Sequence, residues 1–313
     1  MKIYNNISTL PSIQNAVITI GTFDGVHQGH QKVIEQLLME AKEINGSAIV
    51  ITFYPHPRQV IASHLSPILH LNTLEEKANL LEKMGIEHLV VIPFDKTFSE
   101  QSADSYIKDF LVETFHPKKI VIGYDHKFGK DRLGDFELLK NKASTYHYEV
   151  VEIPAHILSD ITISSTKIRN KIMEGKVEEA NELLGYHYFF SGLVTHGKKI
   201  GRTIGFPTAN IEVSNGEKLI PREGVYIVTV NISDDEKSYR GMMNIGTRPT
   251  FDGAEKKIEV NVFNFDEEIY DKKITVFCEK KIRDEIKFNN VENLIQQLQS
   301  DKLLAEDYFK LNH

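Results

Sequence analysis

The 313-residue chain has one cysteine, Cys278, so no internal disulfide can form. Its longest apolar stretches are strand-sized, which leaves nothing to span a bilayer as a helix. It also lacks an apolar leader: between Met1 and Pro11, polar residues such as Tyr4, Asn5 and Ser8 interrupt any hydrophobic run. The lone thiol and the missing leader point to a reducing cytosol and to no membrane partner. Positive charge is not in excess, since 37 Lys and Arg against 44 Asp and Glu give a formal charge of -7. That argues against a nucleic-acid partner, because duplex binding draws on phosphate neutralisation by clustered cations. Small anions need only a local positive pocket. No internal repeat or low-complexity tract is present, so a solenoid is excluded. His/Cys ligand spacing is missing too. His64, His70 and His88 fit surface or packing roles, and His56, between two prolines, reads as a rigid loop element. With 41% hydrophobic and 26% charged residues, what remains is an ordinary globular composition, long enough for two cores.

Short β-rich runs, Val17 to Thr22, Ala48 to Phe53, His88 to Pro93, Lys119 to Gly123 and Tyr148 to Ile153, alternate with helical patterns. The helical patterns lie around His30 to Ile44, Thr73 to Met84, Ala103 to Phe115 and Asp135 to Ser144. This alternation predicts an α/β domain, a doubly wound parallel sheet with helices on both faces. Two more helices, Ser164 to Glu174 and Val177 to Leu184, precede a stop at Gly185. Beyond His187 the runs Tyr188 to Thr195, Val225 to Ile232, Tyr239 to Ile245, Ile258 to Phe265 and Lys273 to Glu279 are β-rich and separated by Gly, Pro, Asn and Asp. They predict a small antiparallel β-barrel, followed by a C-terminal helix over Val291 to Leu311. The expected division is residues 1–185 and 186–313.

The segment Gly21 to His30 reads GTFDGVHQGH and lies between an apolar strand and an amphipathic helix. Gly21, Gly25 and Gly29 allow tight turns, and the helix N-terminus offers unpaired N–H groups and a positive dipole end, which makes an anion site. His27 and His30 can both project at that turn and donate hydrogen bonds to a triphosphate, stabilising a leaving pyrophosphate. A glycine-rich turn with two surface histidines is the plainer alternative; the flanking strand and helix favour the anion site.

These residues resemble the HxGH nucleotidyltransferase superfamily, and GTFDGVHQGH resembles its FAD synthetase branch. The likeness continues through TFYPHP at Thr52 to Pro57, GYDHKFG at Gly123 to Gly129 and ISSTKIR at Ile163 to Arg169. It implies that Gly21, Phe23, Asp24, Gly25, His27, His30 and Asp125 line an ATP site. It also implies that Ser164, Ser165, Thr166 and Arg169 form a second phosphate-binding element, although SSTKIR alone would read as an ordinary helix cap. The chain departs from the pattern at His126, where the family commonly carries an aromatic.

From Gly197 to Ile211 the sequence reads GKKIGRTIGFPTANI. No Gly-Lys-Ser/Thr closes it, so it is not a Walker A loop. Gly197, Gly201 and Gly205 with Lys198, Lys199 and Arg202 make a cationic loop suited to covering phosphates. Pro207 fixes the chain before Thr208 and Asn210, whose side-chain oxygens project to one face of an extended strand and can reach magnesium or phosphate. This stretch resembles the riboflavin kinase family, whose PTAN motif holds Mg-ATP. The likeness extends through GVY at Gly224 to Tyr226, NIGTRPTF at Asn244 to Phe251, IEVNVFNFDEEIYDKK at Ile258 to Lys273 and KKIRDEIKF at Lys280 to Phe288. It implies that Glu259 is the catalytic base toward the riboflavin 5′-hydroxyl, that Thr208 and Asn210 hold the metal, and that Arg283 and Phe288 contact flavin. Without the motif, Glu259 would read as a solvent-facing strand carboxylate. Asn261 and Asn264 stand where the family commonly carries His and Asp.

The resemblance covers nearly the whole chain, with its motifs in order on both halves. It implies a bifunctional enzyme that phosphorylates riboflavin to FMN and adenylylates FMN to FAD, with ATP as co-substrate and Mg2+ in both steps. Homo-oligomer formation is left open. The competing readings are a one-activity enzyme, for which His126 is the only hint, and a flavin-sensing or RNA-binding regulator. The retained His27, His30, Arg169, Thr208, Asn210 and Glu259 and the acidic charge count against the regulator.

Overall fold

The computed structural model describes residues 1–62, 67–154, 163–197, 200–233, 235, 237–250 and 253–312. His64, Lys198 and Lys199 lie outside the described residues. The chain divides into two compact units, Met1–Ser165 and Thr166–His313.

The first unit is a six-stranded parallel sheet built from β1 (Lys2–Tyr4), β2 (Val17–Ile20), β3 (Ala48–Tyr54), β4 (His88–Pro93), β5 (Lys119–Gly123) and β6 (Glu149–Ile153). Its order is β1-β4-β3-β2-β5-β6, with every pairing parallel. Residues on the central strands alternate between two cores. Ile18, Ile20, Ile49, Ile51, Ile120 and Ile122 bury one face against Tyr106, Phe110 and Leu111. Val17, Val50, Leu89, Val91 and Val121 bury the other against Ile34 and Leu37 of α1 (Gln28–Glu43) and Leu81 of α2 (Leu74–Lys83). Each fully buried Ile or Leu contributes about 2 kcal/mol of burial. Both faces being covered explains why β2 is apolar at nearly every position rather than at alternate ones. α3 (Phe136–Tyr146) is capped by Asp135, which accepts the Leu138 N–H at 3.1 Å.

Two differences from the sequence pattern have physical causes. β1 is a three-residue edge strand, too short for periodicity to show. The helix predicted over Ala103–Phe115 is interrupted by a π-helical stretch, Tyr106–Val112, which turns Tyr106, Ile107, Phe110 and Leu111 into the core. With i→i+5 hydrogen bonds a π-helical turn holds more residues than an α-helical one, which gathers these four side chains onto a narrower arc facing the core.

In the second unit α4 (Ser165–Met173) and α5 (Val177–Leu184) precede a closed barrel of β7 (Phe189–Thr195), β8 (Ala209–Glu212), β9 (Gly224–Ile232), β10 (Ser238–Thr250), β11 (Gly253–Val262) and β12 (Lys273–Arg283). The strands run β10-β11-β8-β7-β12-β9, each pair antiparallel. Tyr226, Val228, Val230, Met243, Val260, Val276 and Cys278 are buried on one side of the ladder and fill the barrel. On the other side Ile227, Met242 and Phe263 receive Ala305 and Phe309 of α6 (Val291–Asn312).

Candidate active sites

β2 delivers the chain to the place where the strand order reverses, with β3 and β4 on one side and β5 and β6 on the other. In an open parallel sheet the crevice at the carboxyl ends of such strands is the binding position. TFYPHP leaves β3 and GYDHKFG leaves β5 at that same edge, so the parallel neighbours β3, β2 and β5 bring three separate motifs together.

The loop after β2 begins at Gly21, whose N–H donates to Ile51 O at 3.0 Å, and ends at His27, the N-cap of α1. Its backbone is strained: Phe23 and Val26 hold φ of 47° and 36°, beside Gly25 at 86°. Non-glycine residues in this region cost about 1–3 kcal/mol each and persist only where the surroundings hold them. Asp24 is buried, and its Oδ1 accepts the N–H groups of Leu71 (2.9 Å) and Asn72 (3.4 Å). Ser165 Oγ donates to Asp24 O at 2.8 Å, Gln31 Nε2 to Val26 O at 2.9 Å, and Lys77 Nζ to Thr22 O at 2.7 Å. Asp24 therefore acts first as a brace within the loop.

The two imidazoles stack, with centroids 3.7 Å apart and planes 16° from parallel, and the ring of Phe23 lies 5.2 Å from that of His30. His27 Nδ1 accepts the His30 backbone N–H at 3.4 Å, which leaves the ring proton on Nε2 as a donor. A Cβ on Gly29 would sit 3.3 Å from the His27 ring and push it by a few tenths of an ångström, so the glycine between the histidines eases the ring's place over the helix mouth. Burial pushes His27 down to about 4, against the pull of Asp24. Burial, then His27, then Lys77 hold His30 well below the ordinary histidine range. Without ligand both rings are neutral at pH 7, and an arriving polyanion favours their protonated, doubly donating forms.

Asp125 is exposed in the turn after β5. Next to it, His126 Nε2 is buried without a hydrogen-bond partner, and burial lowers this ring to about 4. His56 caps a short helix by accepting the Arg58 N–H at 3.1 Å, the role of a loop element. Ser164 and Thr166 are exposed, while Arg169 is buried on α4.

The second site lies on the outer face of the barrel. Glu259 stands directly opposite Asn210 on β8 and Asn244 on β10. Residues opposed in an antiparallel ladder share a face with Cβ atoms about 5 Å apart, and Asn261, two residues on, shares it as well. Glu259 Oε1 accepts from Lys257 Nζ at 2.8 Å. A Cβ on Gly197 would fall 2.1 Å from Asn210 Nδ2, so only glycine leaves room for that amide. A Cβ on Gly201 would lie 3.4 Å from Thr208 Oγ1, which places the second motif residue against the same loop. Gly201 begins the turn through Gly205 (φ 81°), closed by Phe206 N–H donating to Gly201 O at 2.8 Å; Arg202 in that turn is exposed. Pro207 O accepts Asn261 Nδ2 at 2.6 Å, fixing the strand start that presents Thr208 and Asn210. Among the described residues no group of three His, Cys, Asp or Glu could hold a metal. The Thr208 hydroxyl and the Asn210 amide oxygen are donors of the kind magnesium takes, and the Glu259 carboxylate stands across the ladder from Asn210.

Arg283 reaches the terminal helix. Its Nε and Nη2 donate to the fully buried Asp301 of α6, the shortest bond being 2.7 Å, and its guanidinium lies 5.9 Å from the Phe288 ring centroid. The structure places Arg283 in a clasp between barrel and terminal helix, with Phe288 beside its guanidinium.

Lys77 escapes a motif reading, and Asn261, although it stands inside a motif, has no role implied there. Lys77 occupies the core-facing stripe of α2 with Leu74, Ala78 and Leu81, and a lysine on an apolar stripe was the available signal. Asn261 alternates with buried Val260 and Val262, so it reads as solvent-facing until the Pro207 contact is seen.

A model of FAD synthetase matches residues 10–167, and a model of riboflavin kinase matches residues 184–309. The bifunctional riboflavin kinase/FMN adenylyltransferase of Buchnera aphidicola (subsp. Schizaphis graminum) is 38% identical over 99% of this chain and 100% of its own length. The protein of that name from Listeria monocytogenes is 40% identical over 94% of this chain and 93% of its own. A solved Streptococcus pneumoniae structure named a macrolide-efflux protein superposes with a TM-score of 0.87 at 33% identity, covering 97% of this chain and 98% of that one. Among the described residues here, no helix is long and apolar enough to cross a membrane. The chain belongs to the bifunctional riboflavin kinase/FMN adenylyltransferase family.

Proposed function

We infer that this chain phosphorylates riboflavin to FMN and then adenylylates FMN to FAD, using ATP in both steps. Adenylylation is assigned to residues 1–185 and phosphorylation to residues 186–313. In the first site the phosphate of FMN attacks the α-phosphorus of ATP and pyrophosphate leaves. His27 and His30, with the N-terminus of α1, donate to the charge that builds on the departing group. Gly21, Phe23, Gly25 and Asp125 line the nucleotide, Asp24 braces the loop, and Ser164, Ser165, Thr166 and Arg169 form the second phosphate element.

In the second site Glu259 accepts the proton of the riboflavin 5′-hydroxyl as that oxygen attacks the γ-phosphorus, and ADP leaves. Lys257 holds the carboxylate in place beforehand. Thr208 and Asn210 would hold magnesium, which would supply neutralisation of the phosphate charge that builds during transfer. Gly197, Gly201, Arg202 and Gly205 cover the nucleotide. The observation that carries this reading is the opposition of Glu259 to Asn210 on one barrel face, in a chain whose other unit holds the stacked histidine pair. Incubated with riboflavin, ATP and magnesium, the purified protein should form FMN and then FAD. Accumulation of FMN alone would reject the two-step reading.

A further inference from the structure

Lys77 is buried at 8% exposure on α2, and a lysine so placed needs a reason, since a fully packed ammonium gives up its hydration. Its Nζ donates to Thr22 O at 2.7 Å and lies 3.4 Å from Thr52 Oγ1, which itself donates to Thr22 O at 3.1 Å. Both partners are neutral. Thr22 belongs to the strained loop that carries His27, and the charge of Lys77 is felt at His30. The other ionisable group acting on Lys77 is Asp24 of the same loop.

We propose that Lys77 is a positioning residue for FMN adenylylation: its ammonium ties the Gly21–His30 loop through Thr22 and places a fixed positive charge beneath the triphosphate pocket. A bound polyanion stabilises that charge, and the charge strengthens binding by the same factor, because coupling between two binding events is reciprocal. Burial lowers the Lys77 ammonium to about 8, with Asp24 pulling the other way, so the charge is present at neutral pH and sensitive to its surroundings. The idea rests on the loop being the ATP site, and the test separates the two.

In the full-length protein, Lys77→Met removes charge and hydrogen bond, whereas Lys77→Gln keeps a donor for Thr22 and removes only charge. Both variants should raise the KM for ATP in FMN adenylylation by about ten-fold or more, with a smaller change in kcat. The KM values for riboflavin phosphorylation in the same preparations should stay unchanged. Histidine NMR titration should show the His30 pKa rising in both variants, a shift that loss of a hydrogen bond alone would not produce. In the wild-type chain, 13Cε-lysine NMR should show the Lys77 pKa rising when a non-hydrolysable ATP analogue binds, and this measurement needs no variant to fold. An unchanged KM for ATP with Lys77→Gln, or a Lys77 pKa indifferent to the analogue, overturns the proposal. His30→Ala serves as the control: if it leaves adenylylation intact, the assignment of the ATP site fails, and if it alone impairs adenylylation, only the role of Lys77 fails.

Discussion

Glu259 and His30 lie in different units, and the proposed roles assign them to different reactions, so their substitutions should separate the two activities. Glu259→Gln is expected to abolish riboflavin phosphorylation and leave FMN adenylylation nearly intact, whereas His30→Ala should slow FAD formation by a factor of about 100 or more while FMN is still made. Equal loss of both activities in either variant would contradict separate sites. Asn261→Ala should raise the KM for Mg-ATP in the kinase step alone, by about ten-fold, because Pro207 O loses its donor and the strand start carrying Thr208 drifts. Protonation is also decided at single residues. His27 and His126 are held near 4 when folded, against an ordinary value of 6.5, so the unfolded chain binds protons that the folded first unit refuses. The resulting stability is fully present above 6.5 and is lost as pH falls toward 4, with about 3 kcal/mol at stake at His27. Thermal melts at about pH 7.5 and about pH 5 should show that loss, and His126→Phe should make the difference smaller by removing one of the titrating rings.

At the scale of the element, the terminal helix is held to the barrel by a charged clasp as well as by the packing of Ala305 and Phe309. Asp301 is fully buried and takes Arg283 in a fork, with Gln297 Nε2 donating to the same carboxylate at 2.8 Å. Arg283→Ala strands that carboxylate and should destabilise the second unit by about 3 kcal/mol, read from denaturant unfolding. If Arg283 instead serves flavin, stability will hold and the KM for riboflavin will rise. Elements differ in how far they can be read before folding. α1, α2 and the strands β3, β4 and β5 are legible because their apolar residues repeat with the helical period or in unbroken runs between breakers. The π-helical turn at Tyr106–Val112 is illegible, since it is chosen by the core it fills.

For the whole molecule, the order of strands matters more than their number. All-parallel pairing with reversal at β2 converges three loops that are about 30 to 100 residues apart in sequence, and local pattern contains nothing of that order. The barrel behaves alike: Asn210 and Glu259 are 49 positions apart in number and become neighbours only through the register of β8 on β11. From the sequence by itself came the two-part architecture, the histidine turn and the PTAN strand, because each is written in contiguous residues whose geometry follows from local chemistry. Only the tertiary structure decided that Asp24 braces a strained loop, that Lys77 lies beneath it, that Asn261 holds Pro207 and that Arg283 clasps Asp301. The physical reason is that hydrogen bonds and buried charges depend on which distant segments the core brings within about 3 Å, a distance that periodicity and composition do not encode.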